Sequence, residues 1–338
     1  MNKILIILFI STILSCKEEY SVQILDLNTI PLELIKTEKQ TMQEIQNPSS
    51  MHFFNNHIVF INTENNTDVP FYIYSTDSLN YIQRFGKFGR GPQEIFSYNP
   101  NYWDTTDSSF IINTNHYYST EITFSKDSFH ISRPLFLSNI IMNNLLRIND
   151  SLIIFDSKRE NKEFSIYNTN KREIIKGFSK FPKATIPYKS KEDRDNILQK
   201  SCVINRDSQI MIAFYIREPL IRIFNFASKL IKEIRLKDIH QKNISLTEFY
   251  NNEENIYFLL PTTTQHHVFV LFINKDTQNS FLEETTELQK WDWNGNLIKR
   301  YKIQEPVDLY CISNDAKVFY GLKAREDNFQ ILKAYLDN

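Results

Sequence analysis

The stretch Asn149-Asp150-Ser151-Leu152-Ile153-Ile154-Phe155 shows the pattern that decides the fold: a polar turn followed by a short apolar run. The run is β-branched or aromatic and is bounded by turn residues, which favours a buried β-strand over a helix. It is continuous and not alternating, so both faces of the strand are expected to be covered. The same pattern occurs six times, with apolar runs at 58–61, 110–112, 152–155, 210–214, 256–260 and 318–320.

A second pattern follows these runs, in which two strands flank a polar turn and alternate apolar and polar residues. It occurs at 71–85, 121–131, 164–175, 221–234 and 291–301. Six copies of a repeat that combines the two patterns predict an all-β chain, a six-bladed β-propeller of four-stranded blades. Two β-sandwiches are the alternative, but they would not predict the repetition.

The last copy of the repeat lacks one strand, because the chain stops after residues 329–336. An unassigned strand lies near the N-terminus, at residues 21–27. Pairing an N-terminal strand into the last blade would close the ring and leave no open sheet edge. We therefore expect residues 21–27 to complete the sixth blade. The charged stretch 187–200 is expected to form a short surface helix.

The first residues are typical of an export signal. Lys3 precedes an apolar run at 4–13 that is too short to span a bilayer, as in the central region of a signal peptide. The following Leu14-Ser15-Cys16 resembles the bacterial lipobox, so Cys16 is predicted to carry lipid. An ordinary secretory signal with an unrelated cysteine is the alternative. The predicted organisation is a signal peptide at 1–15, a lipidated tether at 16–21 and a propeller at 22–338.

The residues behind Cys16 bear on localisation. Lys17, Glu18 and Glu19 resemble the surface-export signal of Bacteroidetes lipoproteins. We therefore expect an outer-membrane lipoprotein that is exposed at the cell surface. A solvated charged tether is the alternative.

Composition narrows the possible partners. Hydrophobic residues make up 41% and charged residues 23% of the chain, and the formal net charge is −1. A basic excess that could neutralise phosphates is missing, so nucleic acid is not an expected partner. Cys202 and Cys311 adjoin apolar runs and are expected to be small core residues, with a disulfide as the alternative.

A glycine-rich segment, GKFGRGPQEIF at 86–96, carries a family resemblance. It resembles the Gly-x-Gly-Pro-Gly-Glu-aromatic signature of the TolB-like six-bladed propeller lipoproteins of Bacteroidetes. It departs from the signature at Gln93, where the family has glycine, and at Ile95, where it has an aromatic residue. The resemblance implies a propeller fold and a lipid anchor, and it implies little about activity.

Candidate ligand-binding residues lie in and before this segment. Arg90 and Glu94 are expected to point from the loop between two blades toward the central channel. Arg84 ends the preceding strand. The alternative is a structural loop in which Arg84 or Arg90 forms an ion pair with Glu94.

Other candidates lie in polar loops. His116 and Tyr117 combine an aromatic surface with neighbouring amides, which could bind a sugar or a peptide. Arg217 and Glu218 follow the fourth apolar run, where a group could face the channel, although an internal salt bridge explains them equally well. A packed loop between blades is the alternative for His116 and Tyr117.

Recognisable catalytic motifs are absent from the sequence, including the serine hydrolase elbow and the common zinc motifs. His266 and His267 are adjacent, so they would point to opposite faces of a strand and could not easily share a metal. The function hypothesis is a non-catalytic binding module for a protein, peptide or glycan, tethered to the membrane by its lipid and needing no cofactor. The alternative is an enzyme of the calcium-dependent lactonase or glycan-lyase kind, which would bind calcium through side chains from several blades. A structural envelope component cannot be separated from the binding module by sequence.

Overall fold

The computed structural model describes residues 20–336 apart from 43, 45–47, 63–68, 92, 97, 107, 115–116, 126–127, 133–134, 139, 141, 157–160, 238, 240–243, 278–284 and 326–327. Three strands precede the first blade: β1 (Ser21–Leu25), β2 (Leu32–Ile35) and β3 (Glu38–Met42). Blade 1 contains β4 (Pro48–Phe54), β5 (His57–Asn62), β6 (Phe71–Ser75) and β7 (Tyr81–Phe85). Blade 2 contains β8 (Asn99–Thr105), β9 (Ser109–Asn113), β10 (Tyr118–Ser125) and β11 (Ser128–Ile131), with β12 (Leu135–Phe136) paired to β10.

The remaining blades follow in chain order. Blade 3 contains β13 (Asn143–Arg147), β14 (Leu152–Asp156), β15 (Phe164–Asn168) and β16 (Glu173–Phe178). Blade 4 contains β17 (Lys200–Asn205), β18 (Ile210–Tyr215), β19 (Leu220–Asn225) and β20 (Leu230–Leu236). Blade 5 contains β21 (Asn255–Thr263), β22 (His267–Asp276), β23 (Thr286–Asp292) and β24 (Leu297–Ile303). Blade 6 contains β25 (Leu309–Ile312), β26 (Val318–Arg325) and β27 (Asn328–Tyr335).

These blades form a closed ring, which confirms the predicted six-bladed propeller. Within a blade the strands pair antiparallel in chain order, and the first strand is the innermost. The first strands of neighbouring blades contact each other all round the ring, including β25 of blade 6 with β4 of blade 1. Each gap between blades holds one cluster of buried apolar side chains. A fully buried Phe or Leu contributes about 1.5–3 kcal/mol, so these clusters are the main source of stability.

An N-terminal strand closes the ring, as predicted, but this strand is β3 and the expectation that residues 21–27 would do so was wrong. β3 pairs antiparallel with β27 and supplies the fourth strand of blade 6. Residues 21–25 instead form β1, which adds a parallel fifth strand to β20 of blade 4. β2 adds a parallel fifth strand to β24 of blade 5. The sequence favoured residues 21–27 because they are apolar, whereas β3 is polar and exposed except at Met42.

The apolar runs are the second strands of five blades and not the innermost ones. The fifth run, 256–260, breaks the rule because it lies in β21, the first strand of blade 5. In that blade the second strand is β22, whose residues Val268 to Leu271 are also buried. Second strands are so apolar because they lie between two neighbouring sheets and keep little contact with solvent. Two consecutive apolar strands in blade 5 explain why the repeat was placed one strand early.

Two short helices occupy the connections between blades 3 and 4 and between blades 4 and 5. α1 (Lys191–Ile197) confirms the helix expected near 187–200. Ser190 caps it by accepting from the backbone N–H of Asp193, whose carboxylate accepts from Ser190 in return. α2 (Leu246–Tyr250) has the same arrangement with Ser245. No helix in the described part of the chain is long and apolar enough to cross a bilayer.

The two cysteines in the described residues are free. Cys311 is buried in the cluster between blades 6 and 1, and Cys202 packs against the cluster between blades 3 and 4. The two lie in different interfaces, so the disulfide alternative does not apply to this structure.

Candidate functional site

The antiparallel order of strands gives the ring two distinct faces. Connections between second and third strands, and between successive blades, lie on one face, which we call the top face. The turns between first and second strands and between third and fourth strands lie on the other, the bottom face. Arg90, Glu94, Tyr117 and Arg217 all belong to top-face connections.

Glu94 organises the glycine-rich loop that connects blades 1 and 2. Its carboxylate accepts from the Gly91 N–H at 2.7 Å and forms an ion pair with Lys87 at 3.2 Å. The Gly91 N–H and Lys87 lower the pKa of Glu94 below its ordinary value. A Cβ on Gly89 would collide with the Glu94 carboxylate, so the carboxylate can occupy this position only while residue 89 has no side chain. The ion pair predicted with Arg84 or Arg90 was therefore wrong, because Lys87 takes that place.

The two arginines near this loop lie apart from Glu94. Arg90 is exposed and its guanidinium stacks over the Phe96 ring at 4.7 Å. Arg84 is an exposed residue of β7, the outermost strand of blade 1, where it pairs in register with Tyr72. Arg84 thus lies at the rim of the ring and not at the channel.

The loop between β9 and β10 holds the next candidates. His116 lies outside the described residues. Tyr117 is exposed, and its carbonyl oxygen accepts from the N–H of Leu137 at 2.7 Å. That hydrogen bond holds the connection to blade 3 against the loop.

Arg217 lies between β18 and β19 and is tied to the surrounding loops. Its Nε donates to Glu254 at 3.0 Å, its Nη1 donates to the Gln199 side chain, and its guanidinium lies over the Phe249 ring at 5.5 Å. Glu218 instead accepts from the N–H and hydroxyl of Thr185, both at 2.8 Å. An internal salt bridge of the kind that the sequence offered for Arg217 is therefore present, and its partner Glu254 comes from another loop.

The sequence-predicted residues do not form one site. Arg90 lies between blades 1 and 2 and Tyr117 in blade 2, whereas Arg217 belongs to blade 4, across the ring from blade 1. Arg84 is on the outer rim. A shared ligand would have to be large enough to cover much of the top face, so their role in binding stays a prediction.

A buried polar network between blades 3 and 4 was missed by sequence reasoning. Glu163 is 0% exposed and accepts from the Tyr215 hydroxyl, from Arg222 and, at 3.0 Å, from Ser179. Arg222 also lies 3.4 Å from the Glu233 carboxylate. A signal existed in the sequence, because a charge within an apolar strand such as Ile221-Arg222-Ile223 requires a buried partner.

Lys200 extends this network toward the top of the inner strands. Its Nζ lies 3.1 Å from Asp156 and 3.9 Å from Glu163. Burial alone would lower the pKa of Lys200, but the charges of Asp156 and Glu163 outweigh it and raise the pKa. The network thus binds blade 3 to blade 4 with paired charges, which is a structural role.

The inner strands also carry polar and aromatic contacts. On the bottom face Arg206 of blade 4 reaches Asp104 of blade 2 and the carbonyl of Arg147 of blade 3, and so crosses from one inner strand to others. Between blades 1 and 2, His52 stacks on Trp103 with ring centroids 3.9 Å apart. Burial lowers the pKa of His52 to about 3, so this ring is neutral at physiological pH.

The connecting segments of the two faces differ in how many exposed apolar side chains they hold. Phe96, Tyr188 and Tyr250 on the top face are 43%, 42% and 52% exposed, and Tyr117 and Leu135 are exposed there too. On the bottom face, Tyr335 and Ile82 lie near strand ends and are 59% and 46% exposed, whereas the described turns of that face hold no exposed large apolar side chain. Aromatic residues beside arginines are typical of protein-binding surfaces.

Two cavities open at the surface. One of about 450 Å³ lies over blade 5 and is bounded by Leu32, Lys275 and Arg300 among others. Arg300 is already held by a two-point ion pair with Glu287, at 2.8 Å for each contact. The other, of about 650 Å³, is a polar cleft on the bottom face between blades 1 and 6. No group of three or more His, Cys, Asp or Glu side chains that could hold a metal was found in the described residues.

A comparison with protein-family models identifies the family of this chain. The model described as TolB-like 6-blade propeller-like matches residues 28–315. The chain belongs to this TolB-like propeller family. The match spans all of blades 1 to 5 and the start of blade 6, which confirms the resemblance that the glycine-rich loop suggested.

Solved structures show the same fold at low sequence identity. A member of the DUF4221 family from Bacteroides vulgatus is 12% identical, with a TM-score of 0.56 over 88% of this chain and 98% of the other. A candidate exported protein from Bacteroides fragilis is also 12% identical, with a TM-score of 0.52 over 94% of this chain and 98% of the other. The curated proteins include no match. These likenesses support the fold of the TolB-like chain.

Proposed function

We propose that this TolB-like chain is a lipid-anchored protein of the outer membrane whose propeller binds a partner through its top face without catalysis. The partner is a protein, peptide or glycan, and the top face favours a protein. The observation that carries the proposal is that the connecting segments of the top face hold exposed aromatic side chains, Phe96, Tyr188 and Tyr250. The bottom-face turns that the structure describes hold none.

The charged groups near these aromatic residues are engaged within the chain. Arg217 pairs with Glu254, Glu94 pairs with Lys87, and the Tyr250 hydroxyl donates to Asp193 at 2.6 Å. Groups held in this way give the face a fixed shape, which reduces the conformational entropy that binding would cost. Such a rigid surface suits recognition, and no specific observation favours the enzyme alternative.

The attachment of the N-terminal strand supports an orientation for this face. Ser21 pairs in register with Lys232, three residues after the bottom-face turn that ends at Lys229. The chain therefore enters the ring on the bottom side of its rim. An anchor at Cys16 would leave the top face directed away from the membrane and accessible to a partner.

Labelling with an alkyne analogue of palmitate tests the anchor. We expect the full chain to incorporate the label, Cys16→Ser to lose it, and Cys202→Ser to retain it as the matched control. An unlabelled wild-type chain, or label retained in Cys16→Ser, would show that the lipid assignment is wrong.

Site-specific photo-crosslinking in cells tests the binding face. A photoreactive phenylalanine replaces Tyr188 or Tyr250 on the top face, and Asn170 or Asp207 on the bottom face as controls. We expect the top-face positions to crosslink to one shared species and the controls to give no such product. Equal products from both faces, or none from the top face, would contradict the proposal.

A further inference from the structure

The cleft of about 650 Å³ on the bottom face lies at the seam where the ring closes, between blade 1 and blade 6. Its walls are formed by three turns: residues 55–56 and 76–78 of blade 1 and 314–315 of blade 6. Its size lies within the usual range for small-molecule sites. It is separate from the top face, so what it binds is independent of the proposed function.

The floor of the cleft is held firmly in place. Lys333 of blade 6 is buried and donates to the carbonyl oxygens of Thr76 at 3.0 Å and Asp77 at 3.4 Å in blade 1. The Thr76 hydroxyl donates to the carbonyl of Asn56 at 3.0 Å. These contacts join the turns across the seam, so the cleft is formed before a ligand arrives.

The polar groups that face solvent there include donors and acceptors. The side chains of Asn56, Asp77 and Asn314 are exposed and, within the described chain, make no hydrogen bond or ion pair. Asp315 accepts from Ser313 at 2.6 Å through Oδ1, which fixes its turn and leaves Oδ2 available. Amides both donate and accept, and carboxylates only accept.

An apolar surface lies beside these groups. The rings of Phe53 and Tyr320 stack across the seam, with centroids 6.1 Å apart and planes at 21°. Val318 and Ile82 line the same cleft. Tyr320 itself is buried and Ile82 is 46% exposed, so the cleft presents hydrogen-bonding groups next to an apolar wall.

The lining discriminates between ligand classes. The described lining contains Asp77 and Asp315 but no Lys or Arg side chain, which disfavours anions. It offers two carboxylates and His57, whose Nδ1 is hydrogen-bonded to the Asn55 carbonyl oxygen, and within the described residues these do not form a metal-binding group, which disfavours a bound divalent cation. An organic ammonium would use the carboxylates and leave the amide donors of Asn56 and Asn314 unmatched.

An uncharged saccharide matches all of these features. Its hydroxyls donate to the carboxylates and exchange hydrogen bonds with the amides, and the C–H face of its ring packs on an aromatic or aliphatic wall. We propose that the seam cleft between blades 1 and 6 is a binding site for a neutral saccharide. Asp77 and Asn314 contact its hydroxyls from opposite sides.

Ligand-observed NMR with saturation transfer tests this site on the full chain in a detergent that has no sugar headgroup. The probes are methyl glucoside, methyl galactoside, methyl mannoside, N-acetylglucosamine, maltose and cellobiose. Glucuronate, n-butylammonium and calcium serve as the charged comparisons, with calcium followed by titration calorimetry. We expect transfer to at least one neutral saccharide, with affinity at least about tenfold weaker in the double variant Asp77→Ala and Asn314→Ala.

The matched control is Asp207→Ala, which removes an exposed carboxylate from the same face in blade 4. It should bind as the wild type does. Circular dichroism of all variants checks folding, which the exposed side chains of Asp77 and Asn314 should not affect. Transfer to no neutral saccharide, binding that survives the double variant, or binding of the charged comparisons alone would overturn the proposal.

Discussion

Replacing Glu163 by glutamine would test whether the buried network between blades 3 and 4 stabilises the ring. Glutamine keeps the shape of the side chain and removes its charge. Tyr215 then loses its carboxylate acceptor, and Arg222 loses a counter-charge in a fully buried place. Lys200, 3.9 Å away, loses a weaker one.

The size of the effect follows from what remains. Removing one partner of a buried ion pair typically destabilises by about 3–5 kcal/mol. Glu233 stays 3.4 Å from Arg222 and Asp156 stays 3.1 Å from Lys200, so neither cation is left without a partner. We therefore expect Glu163→Gln to lower the free energy of unfolding by about 3 kcal/mol, at the lower end of that range.

Urea unfolding measures this, with the slope of free energy against urea expected to stay unchanged. The control is Glu33→Gln, which removes a partly exposed ion pair to Lys299 at 3.4 Å and should cost less than about 1 kcal/mol. Adding Arg222→Met to Glu163→Gln should cost less than the sum of the two single changes, because their interaction is already lost. A cost for Glu163→Gln no larger than that of the control would refute the idea that this network stabilises the ring.

Three further predictions concern the glycine-rich loop and the N-terminal strands. Gly89→Ala should destabilise the chain by about 1–3 kcal/mol, because the new Cβ would displace the Glu94 carboxylate. Thermal unfolding measures this loss, and an unchanged melting temperature would contradict the close packing of Gly89 against Glu94. Met42→Ala should lower the free energy of unfolding by about 2–4 kcal/mol, because Met42 of β3 is buried in blade 6. Val22→Ala in β1, at a side chain that is 58% exposed, should lower it by less than about 0.5 kcal/mol. Equal costs in urea unfolding would argue against β3 as the closing strand. The pKa of Glu94 is lowered, so its stabilising contacts are complete above its ordinary pKa of 4.5 and are lost as the pH falls through the lower pKa of the folded chain. The NMR signal of the Gly91 amide should shift with the midpoint of that loss. A midpoint at or above pH 4.5 would show that the contact is absent.

Sequence alone predicted the ring because its strongest signal comes from strands buried on both faces. β5, β9, β14 and β18 were found in this way. β3 was missed for the opposite reason: an outer strand with solvent on one side has no apolar signal, and only its pairing with β27 reveals it.

The candidate site was less predictable than the fold. Arg217 could be singled out, but its partner Glu254 lies 37 residues further along the chain and could not be identified by spacing. Glu94 in the loop at 86–96 could be singled out from the sequence, but Arg84 or Arg90 was offered as its partner and not Lys87. The cleft at the seam had no local signal at all, since its walls come from both ends of the chain.

The position of β3 has a consequence for how the chain folds during synthesis. β3 is made before any of the six blades, whereas its partner β27 is made after blades 1 to 5. Blade 6 therefore stays incomplete until the other blades have been made, and β3 remains an unpaired strand until then. Its charged and polar residues, Glu38, Lys39, Gln40 and Thr41, are those that discourage an exposed strand from pairing with the wrong chain. The polarity that conceals β3 from sequence-based prediction is thus the property that would keep it soluble until β27 is made.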